Sequence, residues 1–249
     1  MKKIIAIGGG EIGRPGYPIE TTGIDREIIR LTGKRHPKLL FIPTASSDSE
    51  DYTEAIKKHF GKRLGCEVDT LLLIKEKPIL KKISDKILGA DIVYVGGGNT
   101  LKMLNLWKKL GVDRILQKTY AKTDTVLSGL SAGAICWFKY GNSDSKLKST
   151  GNLARIRGLN YIDALACPHY NAERIRRPAL KSMMKITEGV GLAFDNCCAI
   201  EVIGDKYRIL SSKKNANAYK VYWKNGKFYH ETIEKSKELR PLAEILTKR

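Results

Sequence analysis

Short runs of consecutive apolar residues alternate with amphipathic stretches along the first 140 residues of the chain. Strands are expected at 3–8, 39–43, 68–74, 91–95 and 125–130. Helices are expected near 24–31, 49–64, 79–88, 100–110 and 112–122. Strands that are apolar throughout, rather than on alternate residues, are covered on both faces, so the pattern predicts parallel βαβ units with helices on both sides of the sheet. Functional loops in such sheets lie at the carboxyl ends of the strands. Three polar or glycine-rich segments fall there: Gly8-Gly9-Gly10, Pro43-Thr44-Ala45-Ser46 and Gly96-Gly97-Gly98-Asn99.

The pattern changes in the final third. A helix is expected over 172–188, followed by short strands at 192–195, 199–202 and 207–210. Asn225-Gly226 then separates two strand-like runs, a strong hairpin signal because both residues tolerate the positive φ of a type I′ turn. Neither a linker nor a repeat interrupts the chain, so residues 1–249 are expected to form one α/β domain with a C-terminal β-hairpin.

Composition narrows the setting. With 249 residues and 42% hydrophobic content, the chain can bury a large core. No apolar run approaches the roughly 20 residues that span a bilayer. The apolar start, Ile4-Ile5-Ala6-Ile7, is too short for a signal peptide and runs into glycines, so it reads as a first strand. Five cysteines, with no Cys-x-x-Cys and two adjacent, read as buried reduced thiols of a cytoplasmic protein. The net charge of +19 favours anions, yet the basic residues are dispersed and no nucleic-acid motif accompanies them. A solvated basic surface is the simpler reading.

Candidate chemistry centres on Gly129-Leu130-Ser131-Ala132-Gly133, which follows an apolar strand and opens a helical run. This is the Gly-x-Ser-x-Gly elbow in its strand–turn–helix context. It lifts Ser131 above the sheet and turns the amides from Ala132 onward toward the place where an oxyanion would form. A serine hydroxyl needs a base beside it. Of four histidines, His36 precedes a strand and lies at the wrong end of the sheet, His59 is expected on a solvent-facing charged helix, and His230 ends the terminal hairpin. His169 follows the apolar strand Ala164-Leu165-Ala166-Cys167 at Pro168 and is the expected base. A second oxyanion donor would come from a glycine loop such as Gly96-Gly97-Gly98. That loop lacks the Lys-Ser/Thr of a P-loop, and no Gly-x-Gly-x-x-Gly follows the first strand in register, which argues against nucleotide cofactors.

Taken together, Val95-Gly96-Gly97-Gly98-Asn99-Thr100-Leu101, Gly129-Leu130-Ser131-Ala132-Gly133-Ala134 and Pro168-His169-Tyr170 resemble the peptidase E (α-aspartyl dipeptidase) family, whose relatives include cyanophycinase. The resemblance covers nearly the whole chain and weakens after about Leu210. It implies a flavodoxin-like sheet related to class I glutamine amidotransferases, and a Ser–His pair that needs no metal or cofactor. Ser131 would be nucleophile and His169 base. Gly97, Gly98 and Ala132 would supply oxyanion N–H groups, and Asn99 would lie beside the substrate. The family also implies an acid in a polar loop after the elbow helix. Asp144, in Gly141-Asn142-Ser143-Asp144-Ser145, is the choice, with Asp195 as the alternative and Glu201 read as a surface-strand residue. Preference for an N-terminal aspartate would need a cation, for which Arg174, Arg176 and Arg177 are candidates, although such a run also suits a solvated helix face.

The expected reaction is acyl transfer on a short peptide. Two alternatives remain open: an α/β-hydrolase esterase dependent on His230, and a non-catalytic protein that keeps the elbow and binds nucleic acid or another ligand through its basic surface.

Overall fold

The computed structural model describes residues 2–248. The chain enters as β1 (Lys3–Ile7), whose last four residues are buried. A loop leads to α1 (Thr22–Arg30), which buries Ile24 and Ile28, one turn apart on a single stripe. After β2 (Lys38–Ile42) comes α2 (Glu50–Ile56). Ser49 caps α2 by accepting the Tyr52 amide on its hydroxyl, and Glu50 and Asp51 lie favourably in the first turn. The helix continues past Ile56 as a wider π-helical stretch over Lys57–Arg63.

β3 (Glu67–Thr70) is shorter than the 68–74 strand expected. The buried Asp48 carboxylate accepts the amides of Ile74 and Lys75 at 2.7 and 3.0 Å, which turns the chain out of the sheet. Then follow α3 (Leu80–Leu88), β4 (Ile92–Val95), α4 (Thr100–Leu110) and α5 (Val112–Lys122). Gly111, at φ 75°, ends α4 and opens α5, a left-handed position that suits glycine.

β5 (Val126–Leu130) runs into the elbow and α6 (Ala132–Ile135), which is only four residues long. The chain then returns as β6 (Phe138–Ser143), α7 (Leu147–Thr150), β7 (Ala154–Arg157) and β8 (Ile162–Cys167). Gly141, Asn142 and Ser143, expected in a loop, thus end a buried strand. The helix expected over 172–188 is confined to α8 (Arg176–Met183), with turns on either side. The remainder is β9 (Gly191–Phe194), β10 (Cys198–Ile203), β11 (Lys206–Ser211), β12 (Ala218–Lys224), β13 (Lys227–Ile233), β14 (Arg240–Pro241) and α9 (Ala243–Leu246). Asn225 and Gly226 turn the β12–β13 hairpin at φ 52° and 75°, as a type I′ turn requires.

Two sheets form where the apolar pattern implied one. The first has the order β14-β11-β10-β1-β5-β4-β2-β3 and is parallel from β1 to β3, with β10, β11 and β14 antiparallel at one side. The second has the order β13-β12-β9-β8-β6-β7, with β6, β8 and β9 parallel and the outer strands antiparallel. Several of its strands carry charged residues, so they lack the continuous apolar signature of β1, β2, β4 and β5.

Alternation along β1 shows the layering. Ile5 and Ile7 face α1, α2 and the π-helical stretch, whereas Ile4 and Ala6 join the core shared with α3, α4, α5 and the second sheet. Within that core α6 touches β1, β4 and β5 on one side and β6 and β8 on the other. The second sheet covers its outer face with α8 through Leu180 and with Met184 just past its end. The elbow helix is therefore the spacer between two sheets, and the carboxyl ends of β1, β4, β5, β8 and β9 converge beside it. Among the described residues no helix is long and apolar enough to cross a membrane.

Candidate active site

Ser131 occupies φ 56°, ψ −108°, a backbone conformation that a non-glycine residue rarely holds. Neighbouring contacts impose it. The Ser131 amide donates to the Ile7 carbonyl of β1, and the amides of Ala134 and Ile135 return to the Ser131 carbonyl. Gly133 must be glycine here, because a Cβ would overlap the Val95 carbonyl of β4. Close approach of α6 to the sheet thus holds the hydroxyl above the strand ends.

His169 leaves the end of β8, also with positive φ (54°). Its amide donates to the Gly8 carbonyl, and the next amide, of Tyr170, donates to the Phe194 carbonyl of β9. These bonds tie the second sheet to the first at the site. His169 Nε2 lies 2.9 Å from Ser131 Oγ, and Nδ1 lies 2.7 Å from Asn196 Oδ1. An amide oxygen can only accept, so Nδ1 carries the hydrogen and Nε2 presents its lone pair to the serine. Burial holds the imidazole below its ordinary range, against the opposing bond from Asn196, and Arg176 adds to the lowering. The neutral ring is the form that accepts a proton.

The third position differs from expectation. Asp144 is exposed, beyond the end of β6, and makes no hydrogen bond to His169. Asp195 is buried but turned away: its Oδ2 accepts the Asn217 amide and lies 3.4 Å from the Tyr219 hydroxyl. Asn196 is held instead by its amide, which donates to Asn171 Oδ1. Gly9 makes room for the pair, since a Cβ there would overlap Asn196 Oδ1 and lie 2.5 Å from His169 Nδ1. The role of the Gly8-Gly9-Gly10 loop is thus to pass beneath the histidine.

Other expectations change with the packing. His59 is not solvent-facing: it is buried at the junction of the π-helical stretch and α1, with Nε2 2.8 Å from Asp25 Oδ2. Thr21 Oγ1 donates to the same carboxylate oxygen at 2.7 Å. Glu201 is buried on β10 and paired with Arg208 at 2.7 Å. Arg176 is buried as well, with Nη1 donating to the Asn142 carbonyl and Nε paired with Glu173. Arg177 sits over the Tyr170 ring, and Arg174 is exposed. His36 and His230 are exposed and remote from Ser131's hydrogen bonds. All five cysteines are free and buried.

A cleft of about 440 Å³ opens above Ser131 and His169. Gly97 and Gly98 line it opposite the Gly10-to-Tyr17 loop, and Tyr52 of α2 lies at its wall. Ala132 is the first amide past the serine, on a fully packed residue. Asn99 is not a lining residue: its Oδ1 caps α4 by accepting the Lys102 amide, and its Nδ2 donates to the Ser145 carbonyl. The cationic residue on the cleft wall is Arg14, which forks onto Glu11 at 2.5 and 3.0 Å and lies over the Tyr17 ring. Among the described residues no group of three or more His, Cys, Asp or Glu side chains could hold a metal ion.

Two mixed sheets meet at the serine elbow, where the imidazole of His169 lies against the Ser131 hydroxyl. The comparisons with known proteins give the class. Residues 4–210 match the model of peptidase family S51, and the chain belongs to that family, the peptidase E family. It is 36% identical over 225 residues to the uncharacterized peptidase YgaJ of Bacillus subtilis (strain 168), covering 89% of this chain and 92% of that one. It is 35% identical over 136 residues to the uncharacterized peptidase Lmo0363 of Listeria monocytogenes, covering 53% of this chain and 64% of the other. Among solved structures, a peptidase from an acI-B1 actinobacterium superposes with a TM-score of 0.71 at 19% identity, covering 96% of both chains.

Proposed function

We propose that the protein is a serine peptidase that hydrolyses short peptides through Ser131, with His169 as base and Asn196 as the residue that orients it. The supporting observation is the continuous line Asn196 Oδ1, His169, Ser131 Oγ, with contacts of 2.7 and 2.9 Å, at the floor of a cleft. In this reading His169 Nε2 takes the Ser131 proton as Oγ attacks the scissile carbonyl. The carbonyl electron pair moves onto oxygen, where the Ala132 amide and donors on the Gly97–Gly98 side meet it. His169 then protonates the leaving amine, and water attacks the acyl-enzyme by the same route. No metal or cofactor takes part in these steps.

A volume of about 440 Å³ suits a peptide of a few residues. Arg14, forked onto Glu11, is the cation on the cleft suited to an acidic side chain, and Asp51 lines the cleft as a partner for an N-terminal ammonium. Preference for N-terminal aspartate therefore rests on Arg14 rather than on Arg174, Arg176 or Arg177. The parallel run β3-β2-β4-β5-β1 supports a flavodoxin-like reading in which the N-terminal strand fills the fifth place of a 2-1-3-4-5 order. Five buried free thiols suit a cytoplasmic setting.

The test is hydrolysis of a dipeptide panel with N-terminal Asp, Glu, Lys and Ala by wild type and Ser131→Ala. Cleavage that disappears in Ser131→Ala supports the reading. Cleavage that survives in Ser131→Ala rejects it.

A further inference from the structure

Tyr52 is an α2 residue on the cleft wall for which neither its helix nor its packing requires a hydroxyl. Its ring is held between Phe41, with centroids 5.1 Å apart in an edge-on arrangement, and the glycine turn at the end of β4. A Cβ at Gly96 would lie 3.0 Å from Tyr52 Cε1. The phenolic oxygen accepts the Gly97 amide at 3.4 Å. Gly97 is itself against the nucleophile, since its Cβ position is 3.4 Å from both Ser131 Cβ and the Leu130 carbonyl. The Gly97 amide, beside Ser131 on the cleft wall, therefore already points at an oxygen. The hydrogen of that same oxygen has no acceptor among the described residues.

We propose that the oxyanion donor opposite Ala132 is the Tyr52 hydroxyl, backed by the Gly97 N–H, and not the Gly97 N–H itself. The proposal rests on the serine-peptidase reading above. As Ser131 Oγ bonds to the carbonyl carbon and its proton passes to His169, the carbonyl oxygen gains the electron pair. Tyr52 donates a hydrogen bond to that oxygen and keeps its proton. The Gly97 N–H on the phenolic oxygen polarises the O–H and strengthens it as a donor. Burial supports the role, because it pushes the phenol up to about 12 and keeps the hydrogen in place through the working range. Sequence spacing offers no sign of this, since Tyr52 lies on a helix far along the chain from both glycine loops.

The experiment is the rate of Ser131 acylation by p-nitrophenyl acetate, followed by nitrophenolate release and intact mass, for wild type and Tyr52→Phe. Phenylalanine keeps the ring packing and removes only the hydroxyl. Loss of one oxyanion donor lowers such rates by about 10²–10³, and a slowing of that order with ester affinity little changed is the expected result. The rival arrangement predicts the opposite sign. If the Gly97 N–H is the direct donor, Tyr52→Phe releases it, and an unchanged or faster rate overturns the proposal while leaving the serine reading intact. A wild type that is not acylated at Ser131 overturns both. Replacement of Tyr52 by a fluorinated tyrosine provides a second readout that does not depend on how the phenylalanine variant folds. A donating phenol moves the alkaline limb of the acylation rate to lower pH, and a merely structural ring leaves that limb where it was.

Discussion

Replacing Asn196 by alanine removes the acceptor on His169 Nδ1 and leaves the rest of the site in place. The bond is short, 2.7 Å, and it acts on both protonation states of the ring. In the resting enzyme it selects the tautomer that presents Nε2 to Ser131. On the proposed mechanism the ring becomes imidazolium in the transition state, and the contact becomes a hydrogen bond to a charged group. Such bonds contribute about 1.5–3 kcal/mol, and at about 1.4 kcal/mol per decade this is about ten- to 150-fold in kcat. Little change in KM is expected, because Asn196 does not line the cleft. The assay is steady-state hydrolysis of the best dipeptide from the panel by Asn196→Ala and, in parallel, Asp144→Ala. An exposed Asp144 should leave kcat within about twofold. The reasoning is refuted if Asn196→Ala retains wild-type kcat, or if Asp144→Ala is the variant that loses it.

Further outcomes follow from the same geometry. His169 is held below its ordinary value of 6.5, so the acid limb of kcat/KM should lie below that pH, activity falling as the ring protonates; Asn196→Asp adds an anion that favours the charged ring, and should move this limb to higher pH in a pH–rate profile. Gly9→Ala forces a methyl into Asn196 Oδ1 and should abolish acylation of Ser131 with the far-ultraviolet circular dichroism unchanged. His59→Ala leaves the Asp25 carboxylate, already pushed up by burial, with only Thr21 as a side-chain partner. Breaking a buried pair costs about 3–5 kcal/mol, so its urea midpoint should fall sharply. Arg14→Ala should lower kcat/KM for N-terminal Asp dipeptides and spare N-terminal Ala ones, measured as the ratio of the two.

The parallel sheet was legible because β1, β2, β4 and β5 are apolar at nearly every position, a pattern that only two-sided burial produces. The second sheet was not, because strands such as β7, with alternating exposed and buried residues, look like ordinary surface segments. Ser131 and His169 could be singled out because their types are rare or stand in a distinctive context. Asn196 lacked such a mark: Asp195-Asn196-Cys197 reads as a turn, and only its place at the end of an apolar strand hinted at more. Acid was sought there because an acid is the better partner for a cation, whereas an amide oxygen suffices to fix a tautomer. His59 was misjudged from its lysine neighbours. Its spacing from Ile56 and its adjacency to Phe60 put it on the buried stripe, and that spacing was the better guide.

The position of β1 bears on the order in which the site is completed. Ile7 pairs on one side with Leu130 and on the other with Ala199, and the Gly8 carbonyl beyond it receives the His169 amide. β1 thus pairs with two strands far along the chain from it, β5 and β10, and Asn196 lies just before the second of them. A chain that ends before Asn196 would hold Ser131 and His169 against β1 but lack the acceptor on His169 Nδ1. The Nδ1 acceptor is therefore the last piece of the Asn196–His169–Ser131 line to be made.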